Sequence, residues 1–464
     1  MRRITNFEDL VCNGASEDDK SARKIALKLL EQVLAEADPK NAVYRAVKLN
    51  ENSLNIQGQT FNLKMFKNIY VVGGGKAGGG MAETLEKLLG RRITQGFVNI
   101  PTGTITRYKT SKILLNESTH PVPNTSGVTG TEHMLEIAKT AGEDDLVIVL
   151  ISGGASALMP LPAEGVTLTD LQQITKALLR SGADIVELNS VRKHLSDVKG
   201  GRLAQACYPA TTVSLIISDV VGDPVDVIAS GPTVPDPTSY ADALRVLEKN
   251  GLTNENQSIT AHLTKGRLGK LSETLKDGDA CMPKIHNFLI STNRQVLDAV
   301  ADEFKDCFDI EIFSTSIVGE ARIVGRELGE KLMDEAAKHR AGNFPKVLIG
   351  GGETTVTVTG SGRGGRNQEL VLSAIAEIRG DGVCIASMGS DGIDGATDAA
   401  GAIADGKSQS RCQTQKLSPQ AFIARNDSNT VFNKLDDLIL TGPTGTNVND
   451  VIVLVISNPS EAQQ

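Results

Sequence analysis

Six apolar residues in succession, Leu146 to Ile151, are followed at once by Ser152-Gly153-Gly154-Ala155-Ser156. A short apolar run without polar alternation reads as a strand covered on both faces, as in a parallel sheet layered between helices. The small residues after it read as a tight turn opening a helix. A helix that begins at the carboxyl end of a parallel strand offers free N–H groups and a positive dipole end, which suit an anion. Buried strand, glycine turn and then a polar or charged residue is a form that recurs along the chain. The sequence therefore describes strand-end loops directed at an anionic, phosphorylated ligand.

A chain of 464 residues exceeds one ordinary core, which predicts two domains. Aromatic residues make up 3% and Trp is absent, which argues against a base-stacking platform for single-stranded nucleic acid. A net charge of −8 argues against general affinity for nucleic acid or anionic membranes, while leaving room for local basic loops. The six cysteines, at 12, 207, 281, 307, 384 and 412, form no CxxC pair. They read as reduced thiols of a cytoplasmic protein, not as a disulfide frame or a zinc site. The start of the chain lacks an apolar h-region, and no apolar run approaches the ~18 residues of a membrane helix.

Taken in order, residues 18–50 show helical spacing broken at Asp38-Pro39, and Lys67 to Val72 reads as a strand entering the glycine-rich stretch 73–80. Short strands are predicted at 96–100 and 113–115, with a helix near 134–141. A helix with Leu171, Ile174, Leu178 and Leu179 on one face stops at Ser181-Gly182, ahead of a basic segment from Asn189 to Arg202. Thr211 to Ile217 is a further buried strand ending in Ser218-Asp219. The second half restarts the alternation with strands at 286–290, 310–313, 347–349, 383–386 and 451–456, and Thr354 to Val358 alternates like a hairpin arm. Repeated βα units predict parallel sheets with ligands at the carboxyl ends of strands, and a boundary near residue 280.

Residues 73, 75 and 78 satisfy GxGxxG between strand and helix, yet the acidic residue expected about twenty positions on is missing, and the spacing of a phosphate-binding Walker loop fails. Lys76 at the start of the following helix opposes the helix dipole, an arrangement that an anion there would explain; the alternative is an exposed lysine in a tight turn. The Ser152–Ser156 turn could cradle phosphate or simply permit close packing. Arg192, Lys193, Lys199 and Arg202 could grip a ligand or form a solvated basic face. Asp219 and Asp223 could hold Mg²⁺ or accept a proton, or cap a turn. Arg363 and Arg366 lie in a loop with Gly360, Gly362, Gly364 and Gly365, where a guanidinium could clasp phosphate or carboxylate. Asp391, Asp394 and Asp398 form a third acidic loop, for which turn chemistry competes with metal binding. Of the histidines, His120 alone sits in a loop of this kind.

Together these loops resemble the glycerate 2-kinase family, glycerate kinases with a C-terminal MOFRL domain. The matching blocks are GGGKAGGGM (73–81), THPVPN (119–124), LISGGASALMPLP (150–162), NSVRKHLSDVKGGRLA (189–204), SDVVGDPVDVIASGPTVPD (218–236), GGGETTVTV (350–358), GRGGRNQEL (362–370) and SDGIDGATDAAGA (390–402). They run in order along nearly the whole chain.

The resemblance implies two α/β domains with largely parallel sheets, the N-terminal one Rossmann-like, with the active site in the cleft between them. The expected bounds are 1–280 and 281–464, with the MOFRL region at about 345–457. It implies ATP- and Mg²⁺-dependent phosphorylation of D-glycerate, at C2. Lys76, Asp219 and Arg366 are carried over as catalytic candidates. Gly74, Gly75, Ser152, Gly153, Gly154, Ala155 and Ser156 are expected at the cofactor; Arg192, Lys199 and Glu353 at the substrate; and Asp219 and Asp223 at the metal. The expected partners are small molecules, with no nucleic acid or membrane and a homodimer left open. An NAD(P)H-dependent hydroxypyruvate reductase using Gly73, Gly75 and Gly78, and a non-catalytic binder of phosphorylated metabolites, are the competing functions.

Overall fold

A computed structural model describes residues 2–339 and 344–458. The chain forms two compact units, residues 39–291 and residues 1–38 with 292–464. This differs from the expected division at 280. The strand Ile285–Ser291 completes the sheet of the first unit, and the N-terminal helix Glu17–Glu36 packs on the sheet of the second.

In the unit 39–291 a six-stranded sheet runs in the order Ile113–Ser118, Gln95–Pro101, Asn68–Gly74, Asp145–Ile151, Thr211–Ile217, Ile285–Ser291. Every neighbouring pair is parallel. Numbered along the chain this is 3-2-1-4-5-6, the order of a doubly wound sheet, whose direction of winding switches between the first and fourth strands. All seven residues of Asp145–Ile151 are buried, as the unbroken apolar run requires. In register, Gly74 pairs with Ile151 and Ile151 with Ile216, so three strands end level and their loops emerge side by side. A separate three-stranded antiparallel sheet (Val47–Asn50, Ser53–Ile56, Gln59–Asn62) carries none of the candidate residues.

The other unit holds a six-stranded sheet in the order Asp309–Ile317, Lys346–Gly352, Asp450–Ile456, Val383–Gly389, Gly401–Asp405, Leu438–Ile439. Only its first pair is parallel; the remaining four are antiparallel, which corrects the expectation of a largely parallel sheet here. The strand Asp450–Ile456 is buried along its length, so its sequence is a continuous apolar run whichever way its neighbours point. Thr354–Val358 forms no hairpin arm; Thr355 makes one isolated bridge to Glu320. No helix among the described residues is long and apolar enough to cross a membrane, and all six cysteines are free thiols.

Candidate active site

The switch point of the parallel sheet gathers several of the sequence candidates. After Asn68–Gly74 the chain turns through Gly75, at φ +137°, and Lys76 into the helix Gly78–Leu89. A Cβ on Gly75 would sit 2.1 Å from Ser152 Oγ, so only glycine lets the two strand-end turns interlock. The interlock is polar as well. Lys76 N donates to Gly153 O at 2.8 Å, Ala77 N to Ser152 Oγ at 3.0 Å, and Gly75 N to Asn99 O at 3.1 Å.

These bonds engage some of the groups expected at the cofactor within the protein itself. The Gly75 amide, the Ser152 hydroxyl and the Ala155 amide (donating to Ser152 O at 3.2 Å) hold the turns together, and Gly74 lies inside the sheet ladder. Gly153 and Gly154 differ, because their amides make no hydrogen bond to the described residues. Around that pair the site closes. A Cβ on Gly153 would fall 2.0 Å from Asp219 Oδ2, and one on Gly154 would fall 3.3 Å from Lys76 Cγ and 3.0 Å from His120 Cδ2. Lys76, His120, Gly153, Gly154 and the half-buried Asp219 thus converge where the three strands end.

Asp223 occupies a left-handed turn position at φ +55°, its amide donating to Val220 O at 3.0 Å. No group of three or more His, Cys, Asp or Glu able to hold a metal occurs among the described residues. A nucleotide-borne Mg²⁺ asks less of a protein, commonly one or two carboxylates plus phosphates and water. Asp219, a partly exposed carboxylate packed against Gly153, fits that requirement.

The basic segment separates by burial. Lys193 turns inward to Asp236 (3.2 Å) and Asp226 (3.4 Å), and Arg202 donates to Tyr240 Oη and Ser272 O, both at 2.9 Å. Lys199 is 6% exposed, and its Nζ donates to Met159 O at 3.2 Å with no carboxylate beside it. Burial, and then the charge of Arg192, push its pKa down to about 7. Arg192 makes no hydrogen bond or ion pair with the described residues, and burial lowers its pKa too. Two neighbouring basic groups without a counter-ion are an arrangement that an anion would relieve. Ser156 joins it through Ser230, whose hydroxyl meets Ser156 Oγ and Asn189 Oδ1 at 2.9 Å each.

In the other unit Arg366 clasps Asp450 with two nitrogens, one bond measuring 2.8 Å, and reaches Glu353 at 3.4 Å. Burial works against its charge, but the bond and charge of Asp450, helped by Glu353, outweigh it and raise the guanidinium pKa further. The glycine loop before it is pinned, not flexible: Thr359 N and Gly360 N both donate to Asn426 Oδ1 at 2.8 Å, and Gly362 N to Arg425 O at 3.0 Å. Asp394 caps a helix. Its buried carboxylate accepts from Asn367 N (3.0 Å) and Gln368 N (2.9 Å), capping the helix Arg366–Ala374 from a distant loop. His120 was visible in the sequence only as a histidine in a conspicuous loop. Asn189, Ser230 and Asp450 carried no signal of their own, because hydroxyl and amide relays lack a sequence period.

Comparison with known proteins agrees with this architecture. The family described as "Domain of unknown function (DUF4147)" matches residues 25–264, and the MOFRL family matches residues 346–450. A glycerate 2-kinase of Pyrococcus horikoshii is 40% identical, over 94% of this chain and 98% of that protein. A protein of Agrobacterium vitis named putative hydroxypyruvate reductase is 37% identical, over 98% of this chain and 99% of its own length. The crystal structure of a glycerate kinase from Thermotoga maritima superimposes with a TM-score of 0.82 at 38% identity, covering 94% of this chain and all of that one. The chain belongs to the glycerate 2-kinase family, an N-terminal DUF4147 region followed by a MOFRL domain.

Proposed function

We propose that the chain transfers the γ-phosphoryl group of ATP to the C2 hydroxyl of D-glycerate, giving 2-phosphoglycerate and ADP. The observation that carries this is the close approach of Asp219 to Gly153 and of Lys76 to Gly154, at the level ends of three parallel strands. Phosphoryl transfer needs positioning and charge neutralisation more than covalent chemistry, and these residues supply both. The free amides of Gly153 and Gly154 and the Lys76 ammonium would hold the phosphate oxygens. Asp219 would hold Mg²⁺, with Asp223 the second carboxylate candidate, or take the proton of the attacking hydroxyl. The cation, when bound, supplies neutralisation of phosphate charge.

Arg192 and Lys199 would bind the glycerate carboxylate. A buried lysine poised near neutrality regains full charge beside an anion, so binding and protonation reinforce each other. Arg366, oriented by Asp450 and Glu353, is the second cationic catalytic candidate, and Glu353 the remaining substrate contact. The reductase alternative would place a pyrophosphate on the amides that follow Asn68–Gly74, yet those of Gly75, Lys76 and Ala77 are already bonded within the protein.

A ³¹P NMR assay with Mg-ATP and D-glycerate tests the proposal. A 2-phosphoglycerate resonance rising with ADP is the expected result. A 3-phosphoglycerate resonance would overturn the C2 assignment, and oxidation of NAD(P)H by hydroxypyruvate without any phosphorylated product would overturn the kinase.

A further inference from the structure

Ser230 lies in a segment that departs from ordinary backbone. Ala229 and Ser230, neither of them glycine, adopt φ +55° and +60°, and Gly231 follows at +60°. Consecutive left-handed L-residues persist only where their surroundings hold them. Ser230 is fully buried and every polar atom of it is engaged. Its amide donates to Val227 O at 2.9 Å, and its carbonyl accepts from Gly200 N at 3.0 Å. Its hydroxyl donates to Asn189 Oδ1 at 2.9 Å and meets Ser156 Oγ at 2.9 Å. The next carbonyl, Gly231 O, accepts from Gly201 N at 2.6 Å.

The three segments tied together carry the side chains and amides proposed above to bind anions. Asn189 and Arg192 are three residues apart on the helix Ile185–His194, so they share a face. Gly200 directly follows Lys199. Ser156 ends the turn that carries the Gly153 and Gly154 amides. We infer that Ser230 is a positioning residue for substrate, whose hydroxyl and carbonyl fix the Ser152–Ser156 turn, the Arg192 helix and the Lys199 backbone in one register. The inference rests on the proposal that Arg192 and Lys199 bind glycerate.

Steady-state kinetics with Mg-ATP and D-glycerate test it. Ser230→Ala removes the hydroxyl, and Ser230→Gly removes it while relieving the left-handed backbone, so a folding defect in the first does not obscure the second. Each is expected to raise the KM for D-glycerate roughly five- to tenfold, the range of one lost neutral hydrogen bond, with a smaller rise in the KM for ATP through the loosened Ser156 turn and kcat within about twofold of the parent. Adding Asn189→Ala to Ser230→Gly should raise the glycerate KM no further, since the two share one bond. An unchanged glycerate KM in both Ser230 variants overturns the inference. So does a fall in kcat with equal rises in both KM values and a lowered Tm, which marks a merely structural residue. Arg192→Ala separates the levels. If it leaves the glycerate KM unchanged, the substrate assignment itself falls, and the role of Ser230 with it; if it raises that KM while the Ser230 variants do not, only the Ser230 inference falls.

Discussion

The carboxylate of Asp219 rests against the α-carbon of Gly153, so close that a methyl group there would lie 2.0 Å from Oδ2. Glycine at 153 is therefore a condition of where Asp219 stands. Two strands that are neighbours in the sheet, Asp145–Ile151 and Thr211–Ile217, bring the pair together from 66 positions apart in the chain.

Gly153→Ala is expected to push the Asp219 carboxylate aside without disturbing the strands beneath. Gly153 does not adopt a left-handed conformation, so crowding is the whole effect. A displacement near 1 Å at a reacting group costs about a hundredfold in rate, so kcat should fall by about that factor while the far-ultraviolet circular dichroism stays that of the parent. Asp219→Asn should match it in kcat, and the double variant should be no worse than either alone. Normal turnover in Gly153→Ala would contradict the placement of Asp219 at the reaction.

Arg366 and Asp450 offer a test of geometry against charge. Arg366→Lys keeps a cation but loses the planar two-nitrogen clasp, so it should lose at least about tenfold in kcat. Asp450→Asn keeps Arg366 charged and frees it to move, and a smaller loss is expected. Equal activity of Arg366→Lys and the parent would show that positive charge alone suffices.

Lys199 predicts a conflict between stability and activity. Its folded-state pKa of about 7 lies below the ordinary 10.5, so between these values the unfolded chain binds more protons than the folded one. Stability from this group therefore rises with pH above about 7, and its burial cost is fully present below that. Lys199→Met should raise Tm by about 2–4 °C at pH 6.5, with the advantage shrinking as pH rises towards 9, while the glycerate KM increases at least about tenfold. Thermal scans across pH check the first part and initial rates the second. A variant less stable than the parent at pH 6.5 would mean that an internal partner neutralises Lys199.

The loops with special chemistry were legible because they require residue types that ordinary turns do not. Gly75, Gly153 and Gly154 stand where another backbone or side chain passes too near for a Cβ, and Lys76 stands where a helix start disfavours a cation. Asp394 was ambiguous for the opposite reason: a carboxylate after a strand looks the same whether it awaits a cation or caps a helix. Only its bonds to Asn367 N and Gln368 N decide. The division of labour between Arg192, Lys193 and Lys199 was likewise invisible, because adjacent residues of a helix and its following turn face different surroundings.

By itself the sequence determined ten of the strands in the two six-stranded sheets, the longer helices, the family and the set of loops that carry charge, since burial on both faces, helical period and tight-turn chemistry act over a few residues. Tertiary structure alone decided strand direction in the second sheet and where the chain divides. A continuous apolar run such as Val451–Ile456 records that both faces are covered, not which way its neighbours run. The buried Arg23 of the N-terminal helix, paired with Asp405 and Asp437 almost four hundred and more positions away, binds the start of the chain to the unit at its end. Such a pairing depends on where the folded backbone returns, and no local pattern encodes it.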